Sequence, residues 1–416
     1  MFFIYQLFTI IIILISPFFI VYRILKNKDD KIRFLEKFSI YSKQRGAGKL
    51  IWFHGASVGE ILSIIPIIYK YENNNKIQKI LITSSTLSSS EILKKFTFKK
   101  TIHQFYPIDN FYLTNKFLNF WRPNLAIFVE SEIWPSMFNS LERKKIPLIL
   151  LNARITKKTF DKWIKFKKFS QNIFNKITIA YPQNTETKFF LKKLNVKKID
   201  FIGNLKFIEN KYYKSDYISK RLNNEFKKYN IWIAASTHRT EEDFCLKSHV
   251  EMKKKTNKLI TIIIPRHVYR VSEIISQIKN LNLKFMLHSS KIKNLKNIDI
   301  YIVDTFGESN KFYKIASSVF LGGSLISRGG QNPLEPARYG AKILHGPNID
   351  NFKDVYKLLD SLNISKKINS SRELISSIDF KKDKTKGMKI KKLGVIIFKK
   401  TIKEIDKFIN NEIKKT

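Results

Sequence analysis

The chain has 416 residues, 44% of them hydrophobic, and carries a formal charge of +43 from 77 Lys and Arg against 34 Asp and Glu. That length exceeds one typical core and points to two domains, while a single cysteine, Cys245, excludes an intramolecular disulfide framework. Abundant Lys, Ile, Asn and Phe fit an AT-biased coding sequence, but bias alone does not deplete acids, so the excess favours a polyanionic partner: an anionic leaflet, a phosphorylated lipid or nucleic acid.

Residues Phe2 to Ile24 are apolar apart from Gln6, Thr9, Ser16, Pro17 and Arg23, which is long enough to cross a hydrocarbon core of ~30 Å. Residues 1–25 read as one transmembrane anchor. A cleaved signal peptide competes, but no basic residue precedes the run and no small-residue cleavage pattern follows it. A buried core helix is the weaker alternative because the run shows no polar face. Arg23, Lys26, Lys28, Lys31 and Arg33 follow the span and place the body in the cytoplasm.

Beyond Lys49 short apolar runs alternate with helix-like stretches. Strands are predicted at 50–54, 79–84, 125–129, 147–152 and 177–180, then at 231–235, 259–265, 298–303, 318–322 and 341–345. Alternation of this kind implies βαβ units and two successive parallel sheets. The predicted organisation is an N-terminal Rossmann-like domain over 32–208, a polar linker over 209–228, a second Rossmann-like domain over 229–380 and a basic helical segment over 381–416. Ligands of such sheets bind beyond the carboxyl ends of the strands.

The chemically informative residues follow predicted strands. In IWFHGASVGE, Glu60 stands in the first turn of a helix, where it serves either as a general base or as an ordinary dipole-complementing cap. In FVESEIWPSMF, Glu130 and Glu132 end an apolar strand; Glu132 suits a sugar or a cation, or the two acids are caps or partners of Arg154. The stretch Ser84–Ser90 is a capping cluster or an anion contact.

In the second half AASTHRTEED presents Ser236, His238 and Glu241, and IIIPRH presents Arg266 beside His267, a pairing suited to phosphate or a sugar carboxylate. In FLGGSLISRGGQNPLEP, Gly322, Gly323, Gly329 and Gly330 frame a polar loop ahead of a helix opened by Pro333. Its amides suit an anion, and Glu335 suits ribose hydroxyls.

Taken in order, IWFHGASVGE, SSTLSSSE, YPIDN, ESEIWP, LNARIT, GNLKF, STHRTEE, PRH, DTFGE, GGSLISRGGQNPLEP and GPNIDNF resemble the 3-deoxy-D-manno-octulosonic acid (Kdo) transferases from about Ile51 to Phe352. The resemblance implies a GT-B fold, two Rossmann-like domains facing across a cleft. It further implies an inverting transfer of Kdo from CMP-Kdo to a lipid A precursor at the bacterial inner membrane, with no cofactor and no obligatory metal. It implies Glu60 as catalytic base. Beside it, the residues themselves make Glu132 and Lys206 candidates for support of the acceptor and transition state, and Ser236, His238, Glu241, Arg266, His267, Gly322, Gly323, Gly330, Asn332 and Glu335 candidates for donor contacts. One departure is Gln331, where the family pattern has histidine: glutamine hydrogen-bonds but cannot become a cation.

Two rival readings are distinguishable. Another GT-B lipid glycosyltransferase would differ in taking a UDP-sugar. A membrane-tethered nucleic-acid-binding protein would show aromatics interleaved with basic stretches, and no such patch is present, so no nucleic-acid partner is expected.

Overall fold

The computed structural model describes residues 1–212, 217–290 and 294–414. The chain divides into two units, one of Met1–Tyr213 with Gly394–Thr416 and the other of Lys214–Leu393. The predicted linker at 209–228 therefore contributes to both units, and part of it, 213–216, lies outside the described residues.

The first unit is a six-stranded parallel sheet. Its strands are β1 Leu50–His54, β2 Lys79–Ser84, β3 Thr101–Phe105, β4 Leu125–Val129, β5 Leu148–Ala153 and β6 Ile179–Pro182, in the order β3-β2-β1-β4-β5-β6. The order reverses between β1 and β4. Five of the six are largely continuous apolar runs because helices cover both faces of such a sheet. Trp52, Trp121, Phe117, Phe128 and Phe138 fill one side of it.

The second unit has seven parallel strands: β7 Asn230–Thr237, β8 Leu259–Pro265, β9 Phe285–Leu287, β10 Ile300–Ile302, β11 Ser318–Leu321, β12 Lys342–His345 and β13 Ser365–Lys367. They lie in the order β13-β12-β11-β7-β8-β10-β9. Trp232, Phe320, Ile263 and Leu344 anchor its core. Both sheets thus place their central strands, β1 with β4 and β7 with β11, side by side at the point where the winding changes direction.

Sequence periodicity misses β3, β9 and β13, and all three are edge strands. An edge strand has one ladder neighbour and a partly wet face, so TIHQF and SKK carry no unbroken apolar run. The basic tail forms one helix, Lys384–Lys414, which starts in the second unit and ends in the first. Gly394 lets this helix meet the chain: a β-carbon there would lie 2.3 Å from the Phe207 carbonyl oxygen.

The apolar N-terminus is helix α1, Phe2–Leu25. The stretch does have a polar face, contrary to the linear reading. Tyr5, Gln6, Thr9, Ser16 and Arg23 share one stripe with Phe2, Ile13, Ile20 and Ile24, and these are its buried or half-buried residues. Few polar residues spaced at helical intervals are invisible until the helix is wound.

Candidate active site

In the first unit the site forms at the carboxyl ends of β1 and β4. Helix α2, Val58–Glu72, opens on Ser57, whose hydroxyl accepts from the Glu60 amide at 3.3 Å. The Glu60 carboxylate turns back to accept from the Ala56 amide at 2.7 Å and from the Ser57 hydroxyl at 2.9 Å. Both sequence alternatives for Glu60 therefore describe the same side chain, since it closes a helix start and still has its pKa pushed up to about 7. Burial is the main cause, helped by the Glu132 and Glu130 charges. A carboxylate poised there is half-charged near neutrality, the condition a general base needs.

The turn that carries Glu60 is braced from β2. Thr86 caps helix α3, Leu87–Leu93, and the hydroxyls of Thr86 and Ser89 both reach the Ala56 carbonyl, at 3.4 and 3.0 Å. The serine cluster after β2 is thus a support for this turn.

Across the switch point, fully buried His54 at the end of β1 places Nε2 3.1 Å from Oε2 of Glu132. Trp134 Nε1 donates to the same oxygen at 2.9 Å. His54 Nδ1 is held by Thr83 Oγ1 at 2.9 Å, and its ring lies 4.0 Å from that of Tyr106. Linear reading passes over His54 although it ends the apolar strand LIWFH.

Lys206 pairs with Glu130 at 3.1 Å. Arg154, one of the partners that the sequence left open for the two acids, gives its backbone amide to the Glu130 carbonyl at 3.2 Å. Glu130 (φ 58°) and Asn152 (φ 53°) both adopt left-handed backbone at neighbouring strand ends, and Asn152 Nδ2 donates to Glu130 Oε1 at 3.3 Å. For non-glycine residues this conformation is uncommon and concentrates at functional sites.

In the second unit the residues gather at the ends of β7, β8 and β11. Glu241, expected to touch the donor, is buried, and its carboxylate is engaged within the chain. Its carboxylate accepts from the amides of His238, Gly323, Ser324 and Leu325 at 2.7–3.1 Å, tying the end of β7 to the glycine loop after β11. Gly322 permits this approach, because a β-carbon there would lie 2.4 Å from the Ser236 carbonyl oxygen. Asn332 likewise spends its side-chain oxygen locally, accepting from the Leu334 amide at 3.1 Å at a helix start.

Around Gly323 (φ 68°) stand His238, Arg328 and Gln331, each within 3.5 Å of where a β-carbon would sit. The Gly330 amide closes the loop on the Gly323 carbonyl at 2.9 Å, and Asn351 of GPNIDNF braces Gly329 at 3.0 Å. Among the described residues His238 Nε2 is buried without a hydrogen-bond partner, and burial, then His267, Arg328 and Arg266, hold its pKa below the ordinary histidine value. Its ring centre lies 5.8 Å from that of His267. Arg266 and His267 are exposed, and Arg266 makes no ion pair among the described residues. Ser236 (φ 54°) sits at a register shift in β7. Glu335 has no hydrogen-bond partner among the described residues, and burial raises its pKa. The sequence reading also misses the Arg270–Glu242 ion pair at 2.8 Å, buried beneath this cluster.

Residues 32–209 match the profile of the family described as 3-deoxy-D-manno-octulosonic-acid transferase (kdotransferase). The 3-deoxy-D-manno-octulosonic acid transferase of Rickettsia bellii is 32% identical over 369 residues, 89% of this chain and 88% of the relative. That of Haemophilus influenzae is 27% identical over 78% of this chain and 77% of its own length. Among solved structures, a UDP-GlcNAc 2-epimerase from Neisseria meningitidis shares the fold with a TM-score of 0.56 at 13% identity, covering 87% of this chain and all of that one. Two successive parallel α/β units give the chain the GT-B type of fold, and its Kdo transferase relatives make it a glycosyltransferase. The acidic ends suit proton removal and the basic ends an anionic donor. The chain belongs to the Kdo transferase family.

Proposed function

We propose that this chain transfers Kdo from CMP-Kdo to a lipid A precursor with inversion at the anomeric carbon, working at the cytoplasmic face of the bacterial inner membrane. The observation that carries the reading is Glu60, a carboxylate fixed by Ala56 and Ser57 and brought to a pKa of about 7. As the acceptor oxygen attacks the anomeric carbon, its proton passes to Glu60. The bond between that carbon and the CMP phosphate oxygen breaks, and CMP leaves with the electron pair.

Arg266, His267 and the amides of the Gly322–Asn332 loop supply positive charge and dipoles for the leaving phosphate and the Kdo carboxylate. His238, beside Gly323 in the glycine loop, contributes a polar contact to the donor. Lys206, neutralised in part by Glu130, supports the acceptor side. Gln331 supplies a hydrogen bond in place of a cation, and neither nucleic acid nor a cofactor takes part.

The test is to incubate the detergent-solubilised chain with CMP-Kdo and a lipid A precursor and weigh the product by mass spectrometry. A gain of one or more Kdo masses, absent with Glu60→Gln, is expected. Transfer from a UDP-sugar with none from CMP-Kdo overturns the reading.

A further inference from the structure

Helix α1 is polar where it meets protein and apolar where it does not. Its polar stripe is docked on the first unit. The Tyr5 hydroxyl donates to Asp109 Oδ2 at 2.7 Å, Gln6 Nε2 donates to the Ser136 hydroxyl at 2.8 Å while its Oε1 takes the Phe111 amide at 3.1 Å, and Asn110 Nδ2 donates to Thr9 at 3.1 Å. Phe2 packs on the core of that unit. At the other end Arg23 pairs with Asp29 at 2.8 Å, and Asp29 also holds Lys37. The opposite faces carry Phe3, Leu7, Ile11, Leu14, Phe18 and Leu25, 47–78% exposed except Phe18 at 79%.

A helix that crosses a bilayer must put its two ends on opposite sides. Here the end that would be distal is bonded to the loops that precede helices α4, Phe111–Trp121, and α5, Pro135–Arg143. Crossing would drag those irregular polar segments into hydrocarbon, where backbone groups lose their water partners. We infer that α1 does not span the membrane but lies in the plane of one leaflet, held from above by its polar stripe, with its naked apolar faces in the acyl region.

The flanking chemistry agrees with a lipid occupant. Lys26, Lys28 and Lys31 are exposed directly after the helix and match anionic headgroups, and Tyr22 lies under Lys26 (5.9 Å) as aromatics do at an interface. Ile32, 82% exposed, adds an apolar side chain after the basic cluster. The docking also sets a distance. Asp109 takes Tyr5 and the amides of Ser136 and Met137 at once, so α1 is fixed against the first turn of α5, immediately after Glu132 and Trp134. A leaflet on α1 therefore brings headgroups beside the carboxylate end of the first unit.

The geometry is read without a transfer assay, so its failure is distinguishable from failure of the proposed reaction. A peptide tag placed before Met1 of the full chain is tested with protease in inner-membrane vesicles of both orientations. In parallel, nitroxides on single cysteines replacing Leu7, Leu14 and Phe18, with buried Cys245 unreactive, report depth in vesicles of phosphatidylethanolamine and phosphatidylglycerol. The tag is expected to be cut from the same side as the body, with all three labels at one shallow depth of roughly 5–10 Å. A tag protected on the far side, with Leu14 deepest near the ~15 Å midplane, overturns the inference. So does a dimer that ignores vesicles, since a second copy would then cover the face.

Discussion

The Nε2 atom of His54 stands 3.1 Å from Oε2 of Glu132, across the point where strand order turns in the first sheet. The pairing holds Glu132 in place with Trp134, and the fixed charge of Glu132 is one reason that Glu60 retains its proton to higher pH than a free carboxyl. Geometry at one strand end thereby tunes chemistry at the next.

Glu60→Gln is expected to keep the fold and donor binding while losing transfer by about 10²–10⁴-fold, mainly in kcat. Its stability has a signed pH dependence. The folded pKa, about 7, lies above the ordinary 4.5, so the native state binds the proton more tightly and the parent protein loses stability as pH rises through that window. The melting temperature of Glu60→Gln relative to the parent should therefore rise between about pH 5 and about pH 8. Near-normal turnover would reduce Glu60 to a helix cap.

Glu132→Gln removes a like charge that raises the Glu60 pKa. The acidic limb of the pH profile of kcat/KM, expected near 7 in the parent, should move to lower pH. An unmoved limb would assign that ionisation to another group.

Glu241→Ala strips four amides of their acceptor, and the two buried ones, of Gly323 and Ser324, cost about 1–3 kcal/mol each if left unmade. A fall in melting temperature of several degrees and at least tenfold weaker CMP binding are expected by thermal denaturation and calorimetry. A variant that melts lower but binds CMP normally would show that the glycine loop does not contact the nucleotide.

Arg266 and Arg270 offer a contrast within one loop. Arg266→Ala, at an exposed side chain with no ion pair among the described residues, should weaken donor binding about tenfold with little change in melting temperature. Arg270→Ala leaves buried Glu242 without its partner and should cost about 3–5 kcal/mol of stability. Calorimetric titration beside thermal denaturation separates the two.

The central strands were legible because burial on both faces writes itself as LIWFH, LAIFV or LITIIIP, and the candidate site residues were singled out because they follow those runs directly. Motif order was enough to single out Glu60, Arg266 and the glycine loop. What sequence alone could not decide was which polar groups meet. Glu241 is spoken for by amides more than eighty residues away, Glu130 takes Lys206 and not Arg154, and His54 finds Glu132 across a sheet whose strand order is not the chain order. Nor does the linear pattern of α1 disclose that its few polar residues fall on one docked stripe. A local pattern records how much apolar surface a segment buries. Pairings between distant segments arise only when the sheet places their ends a few ångströms apart.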